Sequence, residues 1–191
     1  YKIDLRSNPV HFATAASHKF HGPKGVGIIY INDNIKGNPI VYGGGQERNM
    51  RAGTENLYGI VGFAKVFELS DATQEQDSAY IQSLKDHMIA QLQQHIPDLA
   101  FNGDYKGQSL YTVLNVSFPK TEKSEMILFS LDMQGVCASG GSACSSGADI
   151  GSHVIRAINN DPNRVPVRFS FSKYNTKEEI DVVVEKLKQL I

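Results

Sequence analysis

Apolar positions recur along this chain with two spacings. Over 81–96 they fall at Ile81, Leu84, Met88, Leu92 and Ile96, the step of three and four that keeps side chains on one helix face. Pro97 follows and stops that helix. Near the end, Ile180, Val183, Val184, Leu187 and Leu190 repeat the step behind Thr176-x-x-Glu179, a pair that caps a helix start reciprocally. Ile60, Phe63, Ala64 and Phe67 predict an earlier helix beginning near Glu55. Shorter helices are expected at about 123–133 and 152–158. The remaining apolar runs are brief and β-rich: 10–15, 26–31, 40–42, 99–101, 110–118, 135–138 and 165–172. These predict strands.

The polar run Asp71-Ala72-Thr73-Gln74-Glu75-Gln76-Asp77 separates the first two helical stripes and marks the expected boundary. Residues 71–191 alternate strands and helices and read as a compact, small α+β domain. Residues 1–70 offer two or three strands, one helix and long polar loops. Loops of that length in a compact domain are functional or need something to lie on. The expectation is an α/β chain whose first part is an incomplete piece of a larger sheet domain.

Composition narrows the partners. Of the 191 residues, 41% are hydrophobic and 20% charged, with a net charge of −1. That balance gives no broad electrostatic footprint for nucleic acid or an anionic membrane surface. No stretch approaches the ~20 apolar residues of a bilayer span. The start, Tyr1-Lys2-Ile3-Asp4-Leu5-Arg6, has no apolar signal region, and a chain opening this way is expected to be cut from something longer. With Cys137 and Cys144 as the two cysteines, no disulfide scaffold is expected and a reducing, cytoplasmic setting is the default. A metal site is not expected. The two thiols lack a second pair at zinc spacing, and no carboxylate or thiol set surrounds His18 and His21.

Two segments carry candidate chemistry. Cys144 lies in Ala138-Ser139-Gly140-Gly141-Ser142-Ala143-Cys144-Ser145-Ser146-Gly147, a run of small residues that cannot pack a core but lets a thiol travel. Cys137, in Gly135-Val136-Cys137-Ala138, reads instead as a buried, inert strand residue. Upstream lies Ser17-His18-Lys19-Phe20-His21-Gly22-Pro23-Lys24-Gly25. Lys19, just after a strand, is a candidate covalent anchor for an aldehyde cofactor, because an unprotonated lysine amine attacks an aldehyde. Lys24, between proline and glycine, reads as a turn residue. The serines around Cys144 have no identifiable His-Asp partners, which argues against a serine hydrolase.

These segments resemble cysteine desulfurases, class V pyridoxal-phosphate enzymes of fold type I. The Lys19 segment is similar to their cofactor-lysine segment. Gly43-Gly44-Gly45-Gln46-Glu47-Arg48 through Arg51-Ala52-Gly53-Thr54 resembles their next signature. Ser139 to Cys144 resembles the active-cysteine loop of the long-loop group that feeds iron–sulfur cluster assembly. Val167-Arg168-Phe169-Ser170 resembles the strand bearing their substrate-carboxylate arginine. The motifs stand in family order along the whole chain.

The resemblance implies a role for each position. Lys19 would hold pyridoxal 5'-phosphate and then deprotonate the substrate Cα. His18 would lie beside the cofactor phosphate. Thr54 would reach the phosphate of the partner subunit's cofactor in a homodimer. Arg168 would clamp the carboxylate of L-cysteine. Cys144 would take the sulfur as a persulfide, leave L-alanine and pass the sulfur to an acceptor or iron–sulfur scaffold protein. Glu47, Arg48 and Arg51 read as an ion-pair network shaping the interface loop.

Two departures matter. Such enzymes are about twice this length, so the chain is expected to hold the C-terminal part of the large cofactor-binding sheet domain (1–70) and the small domain (71–191), and to be inactive alone. The phosphate-binding serine usual three residues before the lysine is Ala16 here, with Ser17 in the next place. Either Ser17 substitutes or one phosphate contact is lost. The alternatives to a desulfurase are a selenocysteine lyase, another class V aminotransferase, or a non-catalytic split module.

Overall fold

The computed structural model describes residues 1–140, 152–158 and 161–191. The chain has a mixed α/β fold and forms two compact units, Tyr1–Gln74 and Glu75–Ile191.

In the first unit, strands β1 (Phe12–Ala16) and β2 (Gly27–Ile31) pair antiparallel, Phe12 opposite Ile31 and Ala16 opposite Gly27. The link between them is tight. A 3-10 turn over Ser17–Phe20 follows β1 directly and ends at His21, whose φ is 70°. Ser17 N–H donates to Val26 O and Gly22 N–H to Ser17 O. Ser17 is 0% exposed. Its Oγ lies beneath Gly22, where an added Cβ would collide with it and come within 2.7 Å of Val66 Cγ1. Glycine at 22 therefore answers a close approach.

The long helix α1 (Leu57–His95) starts at Asn56, whose Oδ1 accepts from Gly59 N–H. Gly59, Gly62, Phe63 and Phe67 of α1 carry the hairpin link. Gly59 and Gly62 lie close to Val26 and Pro23, and Phe20 meets Phe63 edge-on with ring centroids 5.4 Å apart. Elsewhere the unit leaves apolar side chains uncovered. Ile28 is 49% and Ile29 60% exposed on β2. An isolated two-stranded ribbon is marginal by itself.

The loop from 32 to 56 holds a turn over Gln46–Asn49 with positive φ at Glu47, Arg48 and Asn49. Three successive non-glycine residues in the left-handed region cost roughly 1–2 kcal/mol each. Ile40 to Tyr42, expected to be a strand, form none. Val41 O instead accepts from Ala52 N–H across the loop, and Ile40 and Tyr42 have no buried face to occupy.

The second unit is built on a three-stranded antiparallel sheet ordered β3 (Ala100–Phe101), β4 (Val113–Pro119), β5 (Arg164–Ser170). Leu114, Val116 and Phe118 alternate to one face and meet Val167 and Phe169 of β5 there. The second part of α1, α2 (Ile127–Met133) and α4 (Lys177–Leu190) cover that face with Leu84, Met88, Leu92, Leu131, Ile180, Val184 and Leu187. Helix α4 begins with the expected reciprocal cap. Thr176 Oγ1 accepts from Glu179 N–H, and Glu179 Oε2 accepts from Thr176 N–H. A short helix, α3 (His153–Ile158), stands between the undescribed stretches.

Three local expectations are corrected. The run 71–77 does not interrupt the helix. It contains no glycine or proline, and α1 passes through it unbroken. The stretch 135–138 is not a strand. Gly135 turns the chain with φ 76°, and pairing begins only at Ser139, which bridges Arg168. Cys137 is consequently exposed rather than buried, while Val136 packs against the core.

Lys85 was not anticipated as a core residue. It is 1% exposed, and its Nζ donates to Ser109 Oγ at 2.7 Å and to Leu110 O at 3.1 Å. Burial pushes its pKa down, against the opposing pull of Asp86 and Asp104.

Leu131→Ala is expected to destabilise the second unit by about 2–5 kcal/mol, and Thr176→Ala by about 1 kcal/mol, both read from urea unfolding. In the first unit, Gly22→Ala should lower stability by about 1–3 kcal/mol through overpacking. Adding Ser17→Ala should restore part of that loss, because the hydroxyl that the new methyl strikes is gone.

Candidate functional site

The candidate residues fall in both units. In the first, Ser17, His18 and Lys19 share the 3-10 turn at the end of β1. Strand pairing fixes the turn on one side, and the contacts of Phe20 with Phe63 and Phe67 fix it on the other. Lys19 and His18 are exposed, and among the described residues neither makes a hydrogen bond or ion pair. The Lys19 amine is thus presented on an ordered turn without a partner of its own. Ser17 differs, with its Oγ buried and unpartnered. Thr54 lies on the loop before α1 and is exposed.

In the second unit, Arg168 sits mid-strand on β5, facing away from the core. Its backbone N–H donates to Ser139 O at 2.6 Å, and its carbonyl accepts from Ser139 N–H at 3.1 Å. On the other side it stands directly opposite Asn115 of β4. The Nε of Arg168 is buried and has no acceptor among the described residues. A cleft of about 330 Å³ opens over this face, and its lining includes Asn102, Asn115, His153, Ile155 and Arg168. An unsatisfied guanidinium in a small cleft calls for an anion, and its planar fork suits a carboxylate.

Cys144 lies outside the described residues. Among the described residues no group of three or more His, Cys, Asp or Glu side chains could hold a metal ion. No helix among them is long and apolar enough to cross a membrane.

The residues present suit pyridoxal 5'-phosphate chemically. They offer an unpaired amine to meet an aldehyde and an unpaired, buried hydroxyl donor two residues before it. The Asn102–Asn115 pair in the cleft was missed by sequence reading. Its only signal was one asparagine just after a short strand and another within a strand, which is too common to single out.

Comparison with known proteins follows the same lines. The family model for aminotransferase class-V matches residues 1–183. The cysteine desulfurase IscS of Dictyoglomus turgidum is 39% identical over 189 residues, covering 95% of this chain and 46% of its own length. The cysteine desulfurase NifS of Azotobacter vinelandii is 36% identical, with 99% and 47% covered. Among solved structures, a NifS-like protein superposes with a TM-score of 0.80 at 32% identity, over 94% of this chain and 46% of that one. A NifS-like protein from Rickettsia africae gives a TM-score of 0.83 at 24% identity, with 98% and 49% covered, and speaks for the fold alone. The chain spans about half the length of the curated relatives it matches. With motifs, fold and family model in agreement, the chain belongs to the aminotransferase class-V family.

Proposed function

We propose that this chain is the C-terminal part of a pyridoxal-phosphate-dependent cysteine desulfurase, with residues 1–70 completing a cofactor-binding sheet domain and 71–191 forming the small domain. The observation that carries the reading is Arg168, a guanidinium with a buried, unsatisfied Nε at a cleft of amino-acid size. Relatives at 36–39% identity named cysteine desulfurase supply the substrate class.

In this reading Arg168 holds the carboxylate of L-cysteine. Lys19 holds the cofactor through its amine, and His18 and Thr54 flank it, Thr54 from across a homodimer. Ser17 offers one hydroxyl donor to the cofactor phosphate, and reaching it requires the Gly22 turn to open. When bound, pyridoxal 5'-phosphate supplies an electron sink that acidifies the substrate Cα–H. The Lys19 amine accepts that proton and carries it within the site. The Cys144 thiolate attacks the substrate sulfur. One C–S bond breaks, one S–S bond forms, and the former Cβ takes a proton to give L-alanine. The carbon is reduced as the two sulfurs become a persulfide, so no outside reductant is needed. The persulfide sulfur then passes to an acceptor protein of iron–sulfur assembly, in the cytoplasm.

The chain alone is expected to give no visible cofactor band and no alanine from L-cysteine, since Lys19 is exposed and the cofactor has little to hold it. Combined with a separately produced amino-terminal half, it should gain both. In that assembly Lys19→Ala should remove the band. Cys144→Ser should keep the band and abolish the persulfide. Arg168→Ala should raise KM for L-cysteine by about 100-fold, the scale for losing a hydrogen-bonded charge partner. Undiminished persulfide formation by the Cys144 variant would reject the mechanism. Association without turnover would favour a non-catalytic module, a role the exposed Ile28 and Ile29 would also suit.

A further inference from the structure

The face of the second unit opposite its core carries a row of polar residues. Asn102 N–H donates to Asn115 O at 3.0 Å, Asn115 stands opposite Arg168, and Arg168 exchanges both backbone bonds with Ser139. Because the Arg168 backbone groups are spent on Ser139, Asn115 and Arg168 form a non-hydrogen-bonded pair. In such pairs the Cα atoms are about 4.5 Å apart and the side chains lie closest.

The orientation of the Asn115 amide is fixed by its neighbour. Asn102 Nδ2 donates to Asn115 Oδ1 at 2.6 Å and to Ser117 Oγ at 2.7 Å. The oxygen of Asn115 is thereby committed to Asn102. Its Nδ2 is left without an acceptor among the described residues, on a side chain that lines the same cleft as Arg168. Two donors with no acceptor, on adjacent strands, therefore border one small cavity. A lone guanidinium would bind many anions. A guanidinium beside an amide donor of fixed orientation favours a planar group that accepts from both.

We infer that Asn115 is a second carboxylate-binding residue beside Arg168, and that Asn102 is the positioning residue that aims it. The inference rests on the proposed role of Arg168 as the carboxylate clamp. A carboxylate in the cleft takes hydrogen bonds from Arg168 and from Asn115 Nδ2. Asn102 touches no substrate and acts by keeping the Asn115 amide from turning its oxygen toward the anion. That flip would replace an attraction by a repulsion.

The test uses the ¹⁵N-labelled chain titrated with L-alanine, with L-alanine methyl ester and with inorganic phosphate. L-Alanine should shift the Arg168 Nε–H and Asn115 Nδ2 resonances together, with one dissociation constant. The methyl ester should shift neither, and phosphate should bind more weakly than L-alanine. Asn115→Ala should weaken L-alanine binding about 10-fold or more, the scale for a hydrogen bond to a charged group. Asn115→Asp should weaken it further while the fold, read from the backbone amide spectrum, is retained. Asn102→Ala should move the Asn115 Nδ2 signals before any ligand is added and weaken L-alanine several-fold, with the melting temperature of the unit reported alongside. If L-alanine shifts Arg168 but not Asn115, and Asn115→Asp binds as well as the unaltered chain, the inference fails while the clamp survives. If neither resonance responds to L-alanine, the clamp and the inference fail together. Phosphate binding as tight as L-alanine would also overturn the carboxylate assignment.

Discussion

The register between β4 and β5 is the constraint on which the second unit depends. Leu114 faces Phe169 and Val116 faces Val167 on the core side, which places Asn115 and Arg168 together on the other. Side chains alternate strictly along a strand, so a slip of one residue would exchange the faces. It would drive a guanidinium and a carboxamide under α1, α2 and α4 and expose Val167 and Phe169. An unpaired buried charge costs several kcal/mol. The apolar core thus does more than stabilise the unit. By refusing Arg168, it fixes where the charge stands and which residue stands beside it.

That coupling explains which parts could be read from the chain. The β-rich apolar runs of β4 and β5 and the spacing in α4 are direct consequences of a buried face, and they were visible as patterns. The α4 cap was equally legible, because Thr176 and Glu179 act within one turn. What escaped depended on long-range contacts or on the lack of a breaker. The polar run 71–77 resembles a linker by composition, yet Ala, Gln and Glu are good helix formers and nothing in the run stops α1. Cys137 looked like part of a strand, but strand pairing is decided by what Arg168 can reach, and that is Ser139. Lys85 falls beside the apolar stripe of α1, and no pattern in the sequence marks it as buried. Its burial is supported by Ser109 Oγ and Leu110 O, more than twenty residues away, which accept hydrogen bonds from its Nζ.

The candidate site was legible in a different way. Lys19, His18, Thr54, Arg168 and Cys144 came from resemblance to a family rather than from spacing. Spacing could mark Lys19 only as a lysine after a strand. The structure adds what resemblance cannot. The Lys19 turn is anchored at both ends, Ser17 is locked under Gly22, and Arg168 faces a cavity with its Nε unsatisfied. The polar neighbours of Arg168 could not be read in advance. Asn102 and Asn115 are thirteen residues apart and become neighbours only through the pairing of β3 with β4.

The first unit poses the converse problem. A lysine amine works as a nucleophile or a base when its surroundings strip water from it and hold it in one direction. Direction is supplied here. The Ser17–Phe20 turn is tied to Val26, just before β2, by the Ser17 N–H and to α1 by aromatic contacts. Desolvation is not, since Lys19 and His18 are exposed and much of β2 is uncovered. The two shortfalls have a common remedy. Ile28 and Ile29 point to opposite faces of the ribbon, so layers packed on either face would bury apolar surface worth about 25 cal/mol per Å² and bring walls toward the turn that links the two strands. Covering the sheet and drying the amine would then be one event, so chemistry at Lys19 would be coupled to completion of the layer around it.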